Sequence, residues 1–468
     1  MKMSKLALLA AICCGTSASA AQGQQAYSQP AGIGSAIQQV SHCDCGEAVC
    51  GCEAVVPQGG CDMGGCDMGG CDGMPACETG CDCGGGCPLG GCLSGDCGLG
   101  DPFTLFGTVG NFSIGGWTQI GYHSAALPLF NSRPDEVQLH QQWLYAEKAI
   151  DTSNGFDIGG RIDYVYGTDS QDTQAFGIDN DHWDNGWDNG TDYGHAIPQL
   201  YVEAGYGDLS VKAGHFYTII GWEVVTAPDN FFYSHAYTMY NSEPFTHTGA
   251  LATYNAADDL TLYGGYVLGW DSGFEDNGDA FLGGVSAGVT DSLTVTYATV
   301  AGNFAKGGAE KGYMHSIVGD FAVSDNLQYI IQSDLLDSEN DAAVSVRETI
   351  GVNNYLIYTY SDCLAFGARF EWWNVGAAST GFLGDDADLA VINNLVANGF
   401  DLNDESFDVY ALTLGVNYKP HANVIVRPEV RWDWIDGNET FLGAADTISL
   451  EDGDDDQFTF GIDTIFLF

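Results

Sequence analysis

Basic residues are scarce in this chain: 13 Lys+Arg stand against 63 Asp+Glu, a formal net charge of −50 over 468 residues. Nucleic-acid binding needs a basic footprint, so this balance excludes it. After the N-terminus there is no run of about 18 apolar residues, hence no candidate transmembrane helix. A spanning chain of this kind would have to close a barrel, since only helices and closed sheets satisfy every backbone group in lipid. Nucleophile-elbow, H-E-x-x-H and phosphate-cradling motifs are missing, and His195, His215, His235 and His247 are scattered as wall or loop residues, so the chain reads as a non-enzyme. Charged residues make up only 16%, against about 25% in soluble domains. Glycine, at 64, is abundant.

Residues 1–20 carry Lys2 and Lys5, an apolar run from Leu6 to Ile12 and Ala18-Ser19-Ala20, the pattern of a cleaved secretory signal. Ile12 stands where lipidation at Cys13 would want a small residue. A linker follows over 21–42. Segment 43–100 is rich in Cys, Gly and Asp and holds thirteen of the 16 cysteines. Cys61, Cys66 and Cys71 recur every five residues, and Cys81, Cys83, Cys87, Cys92 and Cys97 continue the series. With almost no large apolar residue, this low-complexity segment cannot build a core. Export favours disulfides, whereas clustered thiolates would also suit a soft metal; no C-x2-C pair of a zinc ribbon is present. Thirteen is odd, which leaves one thiol for Cys363, in a short turn, or for an envelope cross-link.

From residue 101 to 468 the sequence repeats an acidic or polar pair, a bulky residue and about ten alternating residues, as at Asp258-Asp259-Leu260, Asp291-Ser292-Leu293 and Asp325-Asn326-Leu327. Short turns alternate with long loops, giving sixteen strands by count, the plan of an antiparallel up-and-down transmembrane β-barrel. Parity agrees: Val424, Val426, Pro428, Val430, Trp432 and Trp434 share one face, opposite Ile425, Arg427, Glu429, Arg431 and Asp433. The final stretch F-T-F-G-I-D-T-I-F-L-F puts Phe466 and Phe468 on a lipid face; with Trp432 and Trp434 they form a membrane girdle.

The turn-x-Leu strands, the P-D-N-F-F-Y-S and P-F-T-H-T-G stretches between Gly221 and Gly249, and the terminal Phe468 resemble the OmpL-like β-barrel porin family. The resemblance covers residues 101–468, leaves the cysteine-rich segment outside, and implies a diffusion pore in the outer membrane with no catalytic residues. Expected on the polar face are Arg161, Lys212, Arg347, Arg369, Arg427 and Arg431, with Asp157, Asp163, Glu371, Glu429, Asp433 and Asp463. The third long loop, Gly221 to Glu243, is aromatic enough to need a surface. It is expected to enter the barrel and narrow it, with Glu223, Asp229 and Glu243 facing a wall of Arg161, Arg369, Arg427 and Arg431.

Acids also crowd Thr168–His195 and 451–456, a density that could hold Ca2+ or attract cations as solvated surface. The leading expectation is therefore an outer-membrane, cation-favouring porin for small hydrophilic solutes. Its partners are lipid and possible copies of itself, and its N-terminal segment lies in the periplasm because an even barrel returns both termini to the short-turn side. The alternative is a cysteine-cross-linked structural or cell-wall protein that uses a closed barrel as an anchor.

Overall fold

Alternation from Phe112 onward turns each inward residue into a neighbour of inward residues on the next strand, and the sheet follows from that rule. The computed structural model describes residues 88–94, 98–376, 406–436 and 456–468. The strands are β1 (Phe112–His123), β2 (Gln138–Lys148), β3 (Asp157–Gly167), β4 (Tyr193–Tyr206), β5 (Leu209–Tyr217), β6 (Thr246–Ala257), β7 (Leu260–Val267) and β8 (Ala280–Thr290). They continue as β9 (Leu293–Ala305), β10 (Glu310–Ser324), β11 (Leu327–Glu339), β12 (Ser345–Ser361), β13 (Leu364–Val375), β14 (Phe407–His421), β15 (Val424–Asp436) and β16 (Asp456–Leu467). Each pairs antiparallel with the next, and β16 closes on β1 from Gly461↔His123 to Leu467↔Trp117. The result is an all-β closed barrel of sixteen strands, with Gly107–Val109 and Asp188–Asn189 as short side rungs.

Two-residue turns at 207–208, 258–259, 291–292, 325–326, 362–363 and 422–423 mark one end, and the long loops mark the other. β5 ends at Tyr217 and β7 at Val267, where the chain bends into the third and fourth loops. Outward residues are apolar and open: Trp432, Phe458, Phe460 and Phe466 are 40–63% exposed. A belt of this kind is stable facing lipid and a liability facing water.

Before the barrel, Leu89–Ser94 is a short helix whose Cys92 is disulfide-bonded to Cys363. One cysteine of the segment thus has its partner in the 362–363 turn. Cys61, Cys66, Cys71, Cys81, Cys83, Cys87 and Cys97 lie outside the described residues, as do the acids at 451–455.

Candidate functional site

The third loop, residues 218–245, leaves β5 and returns through β6 inside the barrel. Phe231, Phe232, Tyr233, Tyr237 and Tyr240 are buried, against an arc of wall made by β12 to β16 and β1. A buried loop must still satisfy its backbone polar groups, and the inner wall supplies the partners. The Arg427 guanidinium donates through Nη1 to the carbonyls of Ala227 (2.8 Å), Asn230 (2.7 Å) and Phe232 (3.0 Å). Arg369 donates to Ser234 O at 2.7 Å and His235 O at 3.1 Å, and Arg431 to His235 O at 2.6 Å. In the other direction, Glu429 accepts from the amides of Tyr233 (2.9 Å) and Ser234 (3.1 Å), and Glu371 from that of Tyr237 (2.7 Å).

Strand register assembles this cluster. Thr413 on β14 lies opposite Arg369 of β13 and Arg431 of β15, so the two arginines flank it at one height. Each has carboxylates nearby: Arg369 pairs with Glu223 (2.8 Å) and Glu371 (2.7 Å), Arg431 with Asp433 (2.8 Å) and Glu371 (3.5 Å), and Arg427 with Asp463 (2.5 Å). Arg369, Glu371, Arg431 and Asp433 are fully buried. Charges removed from water need both partner and hydrogen bonds, and the third loop supplies hydrogen bonds to Arg369, Arg431 and Glu371.

Inward glycines supply the room. A methyl group placed at Gly351, Gly367, Gly415, Gly461 or Gly121 would come within 3.0 Å of a loop side chain: Thr238, Phe231, Phe232, Tyr233 and Tyr233 in turn. Gly367 and Gly415 are direct cross-strand partners, and Glu429 separates Gly415 from Gly461 in the same row. The wall is a row of sockets cut to the aromatic loop.

Residues 111–468 match the family model described as "Putative beta-barrel porin-2, OmpL-like". The chain belongs to this porin family. Among solved structures it is similar in fold to the in-vitro folded trimer form of OmpT, an outer membrane protein of Vibrio cholerae, at 12% identity and a TM-score of 0.51, covering 77% of this chain and 100% of that one. It is likewise similar to Salmonella typhi OmpF in complex with daunomycin, at 13% identity and a TM-score of 0.50, covering 77% and 98%. No curated protein matches the chain.

The other expected residues of this OmpL-like barrel fall elsewhere. Glu223 does reach the arginine wall, but Glu243 turns the opposite way, to Gln332 of β11 at 2.6 Å. Asp229 accepts from its own loop's Thr226 at 2.6 Å. Arg161 sits apart, bound to Asp163 (2.6 Å) and Glu147 (3.3 Å), with its side chain 21% exposed. Spacing along the chain gives a side chain's face and not its height, so the four arginines looked like one wall when they are three and one. Nor do Arg369, Arg427 and Arg431 stand open to the lumen; the loop covers them. The partners Gln332, Thr238 with Asn353 (2.5 Å), and the five glycines carried no sequence signal as site residues.

Several acids of the second loop, 168–192, have structural roles. Asp169 lies 2.7 Å from His140, and Asp184 accepts from the amides of Ala175 (3.0 Å) and Ile197 (2.8 Å). Asp179, His182 and Glu275 bring their ligand atoms within 4.8 Å of one another, where Lys306 Nζ already lies 2.7 Å from Glu275. Asp271, in the fourth loop, accepts from Phe245 N (2.7 Å) and Thr246 N (2.8 Å) and so ties down the exit of the third loop.

Burial pushes the Asp271 carboxyl up to about 7 and Asp184 to about 6. A raised carboxyl contributes stability that is present below its unfolded value and lost as pH rises through the folded one. Loop packing should therefore weaken between pH 5 and pH 8. With Asp271→Asn the loss at this position disappears, so its thermal midpoint relative to wild type should move in the variant's favour by a few degrees over that interval. Heat-dependent electrophoretic mobility at the two pH values checks this.

Proposed function

We propose that this protein is an outer-membrane porin through which small hydrophilic solutes diffuse passively, with the third loop as its constriction and no covalent step. The observation that carries the reading is the seating of that loop inside a sixteen-stranded barrel, on a wall that satisfies its backbone. Sixteen strands enclose more space than their own side chains fill, so an internal loop sets the free width. The arginines are neutralised by Glu223, Glu371, Asp433 and Asp463 and leave little positive field for a solute to meet. The acidic outer loops then dominate the entrance and favour cations. In this reading the short turns and the N-terminal segment face the periplasm, and copies of the chain associate in the membrane.

Single-channel recording in planar bilayers, with reversal potential under a KCl gradient, tests the proposal. Small stable steps with a reversal potential of cationic sign are expected. Silence from protein shown to be folded would overturn it in favour of a closed anchor.

A further inference from the structure

The described N-terminal residues run along the outside of the barrel at its short-turn rim. Parity fixes the side: Arg369 and Glu371 point inward on β13, so Leu364 points outward, and Ala411 and Thr413 point inward on β14, so Val416 and Tyr418 point outward. Leu364 is nonetheless only 3% exposed, because Cys92 and Leu99 pack over it together with Val416 and Tyr418.

The path is pinned at successive turns. Cys92 is bonded to Cys363 between β12 and β13, and Tyr360 Oη donates to Leu93 O at 3.0 Å. Between β14 and β15, Ala422 N donates to Leu99 O at 3.0 Å. There Asn423 also exchanges two hydrogen bonds of 2.6 Å with the Phe103 backbone and donates to Leu467 O of β16 at 2.8 Å. Gly107–Val109 then doubles back on β1. The arm thus spans the rim from β12 to β1, across the seam where β16 closes the barrel.

Leu89, Leu93, Phe103, Leu105 and Phe106 are 47–64% exposed, Asp101 is the one charge among the described residues of the arm, and no Lys or Arg occurs between residues 88 and 111. These side chains continue the barrel's outward belt, where Leu356, Tyr358, Tyr360 and Phe366 are 42–46% exposed at the same end. Leu and Phe on one side of an arm at a bilayer's edge favour the boundary between headgroups and acyl chains.

We propose that residues 88–94 and 98–109 form a lipid-embedded strap on the outer flank of the barrel, its exposed Leu and Phe side chains in contact with phospholipid acyl chains. This placement rests on the membrane-spanning barrel and is independent of conductance.

The test introduces a benzophenone-bearing amino acid at Leu89, Leu93 or Phe106 of the full-length oxidised protein, reconstituted in phosphatidylethanolamine/phosphatidylglycerol vesicles and illuminated. Three positions keep the test informative if one variant does not fold. Mass analysis should find phospholipid adducts several-fold above those from the same probe at inward-facing Ser286. Cross-linking chiefly to a second copy of the chain, seen as a dimer band, would overturn the proposal, as would lipid adducts no more frequent than at Ser286.

Discussion

Replacing residues 222–242 with a short Gly/Ser turn should raise single-channel conductance several-fold while leaving the barrel closed. All sixteen strands pair through their own ladders, including β16 with β1, so the wall does not depend on the loop for closure. What the deletion removes is the filling of the lumen beside β12 to β16, and with it Glu223 and the carbonyls that Arg369, Arg427 and Arg431 now bond. Those arginines would become wet and lose part of their compensation, so selectivity should also shift toward anions. A single substitution reaches the same end. Gly367→Leu or Gly415→Leu fills the socket of Phe231 or Phe232, and overpacking of this kind costs about 1–3 kcal/mol, which the loop can avoid by leaving the wall. Conductance unchanged in both the deletion and the socket variants would show that ions pass by a route the loop does not control.

Much of this architecture was legible because the period of two is insensitive to detail. Val424 to Trp434 showed their two faces without any knowledge of neighbours, and the two-residue turns fixed which end was which. The third loop announced itself by carrying more aromatics than water tolerates. The site was less legible, for a physical reason. A face is a property of one strand, whereas a cluster is a property of register between strands. Arg369 and Arg431 meet only because both oppose Thr413, and Glu243 finds Gln332 only because the loop's stem lies against β11. The glycine sockets were invisible for a related reason: glycine is common here and looks like ordinary strand filler until a ring is seen seated on it. Parity places Leu364 with the lipid-facing residues, yet the strap covers it, because a segment with no repeat of its own gives no pattern from which docking could be read.

Arg369→Met should be the most destabilising point substitution in the barrel. The guanidinium is fully buried and donates to Glu223, Ser234, His235 and Thr413 at 2.8, 2.7, 3.1 and 3.2 Å, besides pairing with Glu371. Methionine keeps only the apolar stem, so it gives up the guanidinium that sits 5.0 Å over the Phe232 ring, and it leaves two carboxylates without their closest cation. Breaking a buried pair by removing one partner costs about 3–5 kcal/mol, well above the roughly 0–1 kcal/mol of an exposed pair. Lys148→Met supplies the contrast, since its pair with Asp157, exposed by 30% and 28% on its two sides, can be replaced by water. The two variants should therefore separate clearly in denaturant midpoint measured in detergent micelles. Glu223 belongs to the loop and Glu371 to the wall, so loss of Arg369 should also free the loop and raise conductance. Adding Glu223→Gln to Arg369→Met should recover part of the stability, because it removes one of the two stranded charges. A midpoint for Arg369→Met equal to that of Lys148→Met would mean that the cluster is wet and that the third loop is held by its aromatic sockets alone.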